Sequence, residues 1–257
     1  MNKIVFFDID GTLLDGEKKL PDRTKKAVQL LKENGVYTAI ATGRAPFMFA
    51  DLRRELEIDS FVSFNGQYVV FENEVIYKNP LNLEKFAPFV ASTMKRNHPL
   101  VFLNEEMMVA NKKGSLFVGE SLASLKCPYP TYQPSFYEEK EIYQALLCCE
   151  DLEDSFYREN FQDFKFIRWH HYSVDVLPAG GSKAEGIKRV MNRLGGSMED
   201  VYAFGDGLND IEMLEAAGTG IAMGNACDEL KHVADFVTTN VEEDGIYKGL
   251  QKIGLIE

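Results

Sequence analysis

The chain has 257 residues, 45% hydrophobic and 26% charged, an ordinary composition for a globular protein with room for one large domain or two modest ones. Its formal net charge of −12 argues against a nucleic-acid polymer or an anionic membrane surface as partner, since both call for basic patches. No apolar run approaches the ~18 residues of a membrane span, the apolar run before Asp8 is too short for a signal peptide, and Cys127, Cys148, Cys149 and Cys227 form no CxxC, so reduced, partly buried thiols and a cytoplasmic location are expected.

Ile4-Val5-Phe6-Phe7 reads as a short buried strand and leads into Asp8-Ile9-Asp10-Gly11-Thr12. Residues two apart on an extended chain point the same way. Asp8 and Asp10 therefore share a small volume at the carboxyl end of a strand, where open α/β sheets place ligands. Two carboxylates so close call for a cation or a shared proton. That means a bound divalent metal, or a nucleophile beside an acid/base. A helix is predicted from about Pro21 to Asn34 with Gly35 as its stop. A strand follows over Val36 to Ala41, then Thr42-Gly43-Arg44 and another helix. A hydroxyl and bare backbone N–H groups at a helix N-terminus suit a phosphate, although Thr-Gly is equally a plain turn or cap. A third strand, Phe61 to Phe64, ends at Asn65-Gly66. Tyr68 to Tyr77 is a hairpin turning at Glu72-Asn73.

The middle has a different texture. Helices over Leu83 to Lys95 and Ser155 to Phe161 mix with strand pairs. One pair is Val101 to Leu103 with Met107 to Ala110; the other is Phe164 to Trp169 with Tyr172 to Leu177. Alternation puts His171, Ser173 and Asp175 on one face of the last strand and Tyr172, Val174 and Val176 on the other. The apolar face is expected inside the module. The polar face either meets a substrate or is solvated.

Strand–helix alternation then resumes. Ser182 to Leu194 is a helix with Gly195 beyond its end. Ser182 and Glu185 make a capping box, which leaves Lys183 in the first turn, opposed to the helix dipole and calling for an anion nearby. Val201 to Phe204 is a strand, followed by Gly205-Asp206-Gly207-Leu208-Asn209-Asp210, a helix and a short strand over Gly220 to Met223. The loop's carboxylates and amide are hard oxygen donors of the kind Mg²⁺ takes. Capping of the next helix explains Asn209 or Asp210, but not Asp206. The fold class expected is α/β: a doubly wound, Rossmann-like parallel sheet over residues 1–82 and 179–257, with an inserted α+β cap domain over residues 83–178.

The order DxDGT, TGR, Lys183, GDGxND resembles the motif set of the haloacid dehalogenase-like (HAD) phosphohydrolases. The large insert, Asn65-Gly66 and Gly224-Asn225-Ala226 resemble their Cof-type subfamily. The resemblance implies that Asp8 is the nucleophile and forms an aspartyl-phosphate. Asp10 would protonate the leaving oxygen and then activate water. Thr42, Gly43, Lys183 and Asn209 would hold the phosphoryl group. Mg²⁺ would be ligated by Asp8, Asp206 and the Asp10 backbone carbonyl, with Asp210 in support. A carboxylate attacks an anionic phosphate only where charge is neutralised, and Mg²⁺ with Lys183 supplies that. Asp8 would stay ionised on the metal while Asp10, away from it, holds a proton. Arg44, Asn65, His171 and Ser173 are the candidates for substrate selection. The expected partner is a small phosphorylated substrate (a sugar phosphate, nucleotide or cofactor phosphate), and the chain a monomer or weak dimer. The alternatives are a phosphotransferase or phosphomutase of the same fold and a non-catalytic phospho-ligand sensor. Asp10 argues against the sensor, which needs no general acid.

Overall fold

The computed structural model of the chain describes residues 3–257. The chain opens with Ile4–Phe7 (β1), Asp22–Glu33 (α1), Tyr37–Ala41 (β2), Ala50–Leu56 (α2), Ser60–Ser63 (β3), Tyr68–Phe71 (β4) and Glu74–Lys78 (β5). Next come Leu83–Lys95 (α3), Leu100–Leu103 (β6), Met108–Ala110 (β7), Leu116–Ser124 (α4), Thr131–Tyr132 (β8), Phe136–Glu139 (α5), Gln144–Leu147 (β9), Ser155–Asn160 (α6), Phe164–His170 (β10) and Ser173–Pro178 (β11). It closes with Lys183–Leu194 (α7), Val201–Gly205 (β12), Ile211–Ala216 (α8), Thr219–Ala222 (β13), Asp228–Val233 (α9), Phe236–Val237 (β14) and Gly245–Lys252 (α10). Two compact units result. One takes the chain up to Arg44, Met48–Lys78 and Ser182–Glu257; the other takes Ala45–Phe47 and Asn79–Gly181.

The first unit is built on a sheet ordered β14-β13-β12-β1-β2-β3-β4-β5. It is parallel from β14 to β3, as expected of a doubly wound α/β fold. The pairings β3–β4 and β4–β5 are antiparallel, the second closed by the two-residue turn Glu72-Asn73, which can join neighbours no other way. Both turn residues have positive φ, 48° and 64°, the backbone a tight hairpin needs. All four β1 residues are fully buried, as parallel strands covered on both faces are. β1 lies between β2 and β12, so the chain leaves it first to one side and later to the other. That strand-order switch opens a crevice at the carboxyl ends of β1, β2 and β12. Helix α1 buries Thr24, Ala27, Val28 and Leu31, a helical stripe, and ends at Gly35 with φ 70°.

Three local expectations are corrected. Phe64 is not a strand residue: it follows β3 with φ 50°. Thr42–Arg44 do not open a helix directly, since a 3₁₀ turn over Pro46–Phe49 precedes α2. The capping box at α7 is half made. Ser182 accepts from the Glu185 N–H at 3.3 Å, but the Glu185 carboxylate pairs with Lys188 at 2.7 Å.

The second unit has a sheet ordered β10-β11-β9-β6-β7-β8. Its helix-covered face is aromatic: Phe89 meets Tyr157, Phe161 and Phe164 at ring separations of 5.3–5.5 Å. β11 pairs with β10 along one edge and β9 along the other, and Ser173 to Leu177 are all buried, so both of its faces are covered. The solvated polar face is therefore not found. Ser173 is fully buried, and burial pushes the Asp175 carboxyl up to about 8. His171 does not sit on the strand at all. It lies in the turn between β10 and β11, exposed, with Nδ1 2.8 Å from the Asp151 carboxylate. Cys148 and Cys149 are buried, and all four cysteines are free thiols. Among the described residues, no helix is long and apolar enough to cross a membrane.

Candidate active site

Asp8 extends β1 by one ladder bond, its N–H donating to the Phe204 carbonyl at 3.0 Å, so its position is set by the sheet. The turn after it depends on Gly11, whose φ is 77°. A Cβ there would lie 2.2 Å from Asp206 Oδ2, so only glycine lets that carboxylate approach. Thr12 Oγ1 donates to Asp206 Oδ1 at 3.2 Å. Asn225 steadies the turn from the far side, its Nδ2 donating to the Gly11 carbonyl at 2.8 Å.

Lys183 enters from the first turn of α7 and is fully buried. Its Nζ donates to Asp8 Oδ1 at 2.5 Å and Asp210 Oδ1 at 2.6 Å. The anion that a lysine in that position calls for is thus a pair of carboxylates. The second oxygen of Asp210 accepts from the Asp206 and Gly207 N–H groups, both at 3.0 Å. Asp210 has no exposed surface and both of its oxygens are engaged, so it orients Lys183 and the Asp206 loop together.

Asp8, Asp206 and Asp210 each bring a carboxylate oxygen within 4.8 Å of the others. Two buried carboxylates and a half-buried third surround one ammonium, and the surplus charge shows. Burial, opposed by Lys183 and reinforced by Asp210, Asp206 and Asp10, pushes the Asp8 carboxyl up to about 8. Burial and Asp210 push Asp206 up to about 7. Against the downward push of burial, Asp210 and Asp8 hold the Lys183 pKa above its ordinary value. An all-oxygen donor set with uncompensated negative charge fits a hard divalent cation such as Mg²⁺ and does not suit Zn²⁺.

Asp10 is turned to a different group of partners. Arg44 grips it through Nε at 2.8 Å and Nη2 at 2.6 Å, and Lys18 Nζ adds a third bond at 2.6 Å. Against the upward push of burial, these two cations hold the carboxyl below its ordinary range. The expectation that Asp10 holds a proton is not met in this arrangement, because a bidentate guanidinium and an ammonium favour the ionised form. Lys18 carries no spacing signal that sequence reasoning detects. It reaches Asp10 because Asp15 Oδ1 accepts the N–H groups of Glu17 and Lys19, both at 2.9 Å, closing a turn in which Lys18 has φ 61°.

Thr42 is buried at the end of β2, with its Oγ1 accepting from the Arg44 N–H at 3.1 Å. The turn-forming reading of Thr-Gly-Arg is therefore correct for the backbone. Asn65 is buried, and its Oδ1 accepts from Asn209 Nδ2 at 3.1 Å. The first unit thus gathers Asp8, Asp10, Thr42, Gly43, Arg44, Asn65, Lys183, Asp206, Asn209 and Asp210 around the strand-order switch. His171 and Ser173 belong to the second unit.

The family described as haloacid dehalogenase-like hydrolase matches residues 5–250. A Bacillus subtilis protein named "Putative phosphatase YkrA" is 50% identical over 256 residues, covering 100% of this chain and 99% of that protein. The solved structure of a hypothetical protein from Geobacillus kaustophilus HTA426 is 57% identical with a TM-score of 0.95, and all of both chains is covered. The HAD subclass IIB sugar phosphatase BT4131 is 31% identical with a TM-score of 0.88, over 99% of this chain and 100% of that one.

Proposed function

The chain belongs to the haloacid dehalogenase-like hydrolases and is a phosphatase of that family; on that premise we propose that it hydrolyses a small phosphorylated metabolite, a sugar phosphate by preference, through an aspartyl-phosphate on Asp8 and with Mg²⁺. The observation that carries this reading is the buried cluster in which Lys183 joins Asp8 to Asp210 beside Asp206. Such a cluster stores too little positive charge for its three carboxylates and lies at the carboxyl ends of parallel strands. The sugar phosphate rests on the similarity to a sugar phosphatase.

Mg²⁺ would be held by Asp8, Asp206 and the Asp10 backbone carbonyl, and when bound it supplies charge neutralisation for a dianionic phosphate. The chain's own residues do the rest. Lys183 holds Asp8 in line and offers its positive charge to the phosphoryl oxygens. Thr42, Gly43 and Asn209 surround the phosphoryl group. An Asp8 oxygen attacks phosphorus, the bond to the leaving oxygen breaks, and that oxygen takes a proton from Asp10. Asp10, now ionised, takes a proton from water, which attacks phosphorus and releases phosphate and free Asp8. The ionised Asp10 of this structure suits the second half. For the first half it must lose a cation. A phosphoryl dianion competes for Arg44 and Lys18, and with those cations drawn off, burial is left to push the Asp10 carboxyl above its ordinary range, where it can carry the proton.

The test is product analysis with Mg²⁺ on a panel of sugar phosphates, nucleotides and cofactor phosphates, together with mass spectrometry of acid-quenched protein. Free phosphate and an added phosphoryl group on Asp8 are expected. Transfer of phosphate to a second hydroxyl instead of water would establish the phosphotransferase alternative.

A further inference from the structure

We propose that Asn65, on the phosphatase reading above, is a positioning residue that ties the Thr42–Gly43 loop to Asn209 around the phosphoryl group, rather than a selector of the leaving group. Phe64, Asn65 and Gly66 leave β3 with φ values of 50°, 51° and 101°. Two successive non-glycine residues in the left-handed region carry strain that persists only where the surroundings enforce it. Asparagine tolerates that backbone better than most residues, so the backbone alone explains part of the choice at 65. It does not explain where the side chain goes.

Asn65 is 3% exposed. Its N–H donates to the Thr42 carbonyl at 3.0 Å. Its Oδ1 accepts from Asn209 Nδ2 at 3.1 Å. Its Nδ2 lies only 2.9 Å from where a Cβ on Gly43 would be, so Gly43 is bare because the Asn65 amide needs the space. One neutral side chain therefore touches both loops that surround the phosphoryl group. By taking one N–H of Asn209 Nδ2, it fixes which way that amide faces and leaves the other N–H for an anion. The same turn seats the lysine helix. A Cβ on Gly66 would lie 2.0 Å from the Ser182 carbonyl, immediately before Lys183. A selector would offer its amide to a variable leaving group, whereas this amide is committed within the first unit.

Asn65→Gly separates the two reasons for asparagine, since glycine accepts the left-handed backbone and removes only the amide. Binding of inorganic phosphate in saturating Mg²⁺ is measured by calorimetry, and kcat/KM on several phosphate esters. Phosphate binding should weaken about tenfold, the loss of one well-made buried hydrogen bond, and kcat/KM should fall by one common factor on every ester. Unchanged phosphate binding and kcat/KM would overturn the proposal, leaving asparagine there for its backbone alone. An altered ranking among esters would also overturn it, making Asn65 a selector. Gly43→Ala reaches the same amide from the other side. It should weaken phosphate binding on its own and add nothing in the Asn65→Gly background, where the methyl has room. Unchanged phosphate binding in Gly43→Ala, or losses that add in the double variant, would count against the tie. A wild-type chain that binds phosphate but turns over no ester overturns the phosphatase reading and not this one, which phosphate binding then decides.

Discussion

Each aspartate around Lys183 holds a different position, and each position gives a measurable consequence. Asp8→Asn should keep the fold and lose turnover by several orders of magnitude, because an amide is no nucleophile; near-normal turnover would remove Asp8 from the mechanism. The raised Asp8 and Asp206 carboxyls, about 8 and about 7 against an ordinary 3.8, make a prediction for the metal-free protein. Between those limits the folded state keeps protons that the unfolded state has released, so stability falls as pH rises. The thermal midpoint in EDTA should drop from pH 5 to pH 8.5, and saturating Mg²⁺ should flatten the decline by stabilising the ionised forms. A midpoint that rises over this range would contradict the charge surplus. Asp10 points the other way, since Arg44 and Lys18 hold it low. Arg44→Met should move the basic limb of the kcat/KM profile to higher pH, because the acid form of Asp10 then persists further. Asp10 was legible as a second carboxylate from its spacing to Asp8. The pair of cations that holds its carboxyl low was not, because Lys18 meets it only through the closed turn at Asp15.

At the scale of elements, close approach decides more than propensity. The β3 turn and α7 meet with no room for a methyl group: Gly66 faces the Ser182 carbonyl, and a Cβ on Gly186 would lie 2.4 Å from Val62 Cγ1. Gly66→Ala should therefore cost about 3 kcal/mol, as clashes with backbone at positive φ do, and should loosen Lys183 with it. Gly16→Ala, with nothing within 4 Å, is the control and should stay within about 0.5 kcal/mol. Denaturant melts of the two variants check the contrast, and equal stabilities would refute it. Element type was readable wherever the apolar period was long or a turn was marked. α3 and the hairpin at Glu72-Asn73 were clear for those reasons. β9 was not anticipated, although it sits between β11 and β6 at the centre of its sheet. A four-residue run buried on both faces carries no alternation. The hairpin after β10 was misread for a related reason, since a register shift between Arg168 and His170 moves His171 into the turn.

At the scale of the molecule, the strongly negative chain gathers three carboxylates, two of them buried, at one strand-order switch. It should therefore depend on a cation for activity. Exhaustive chelation should abolish turnover, Mg²⁺ should restore it, and Zn²⁺ should not, for want of histidine and cysteine ligands among Asp8, Asp206 and Asp210. Activity that survives chelation would sink the metal assignment. The sequence by itself determined the α/β class, the family and the four motifs. Their information is local: a carboxylate pair at spacing two, a lysine after an N-cap, and glycines where a turn needs them. Only the tertiary structure decided which charges meet. Lys183 lies 175 residues from Asp8, and Asn209 lies 144 residues from Asn65. Coulombic attraction and hydrogen bonding act over a few ångströms of space, and folding brings those atoms together across separations that no sequence spacing encodes.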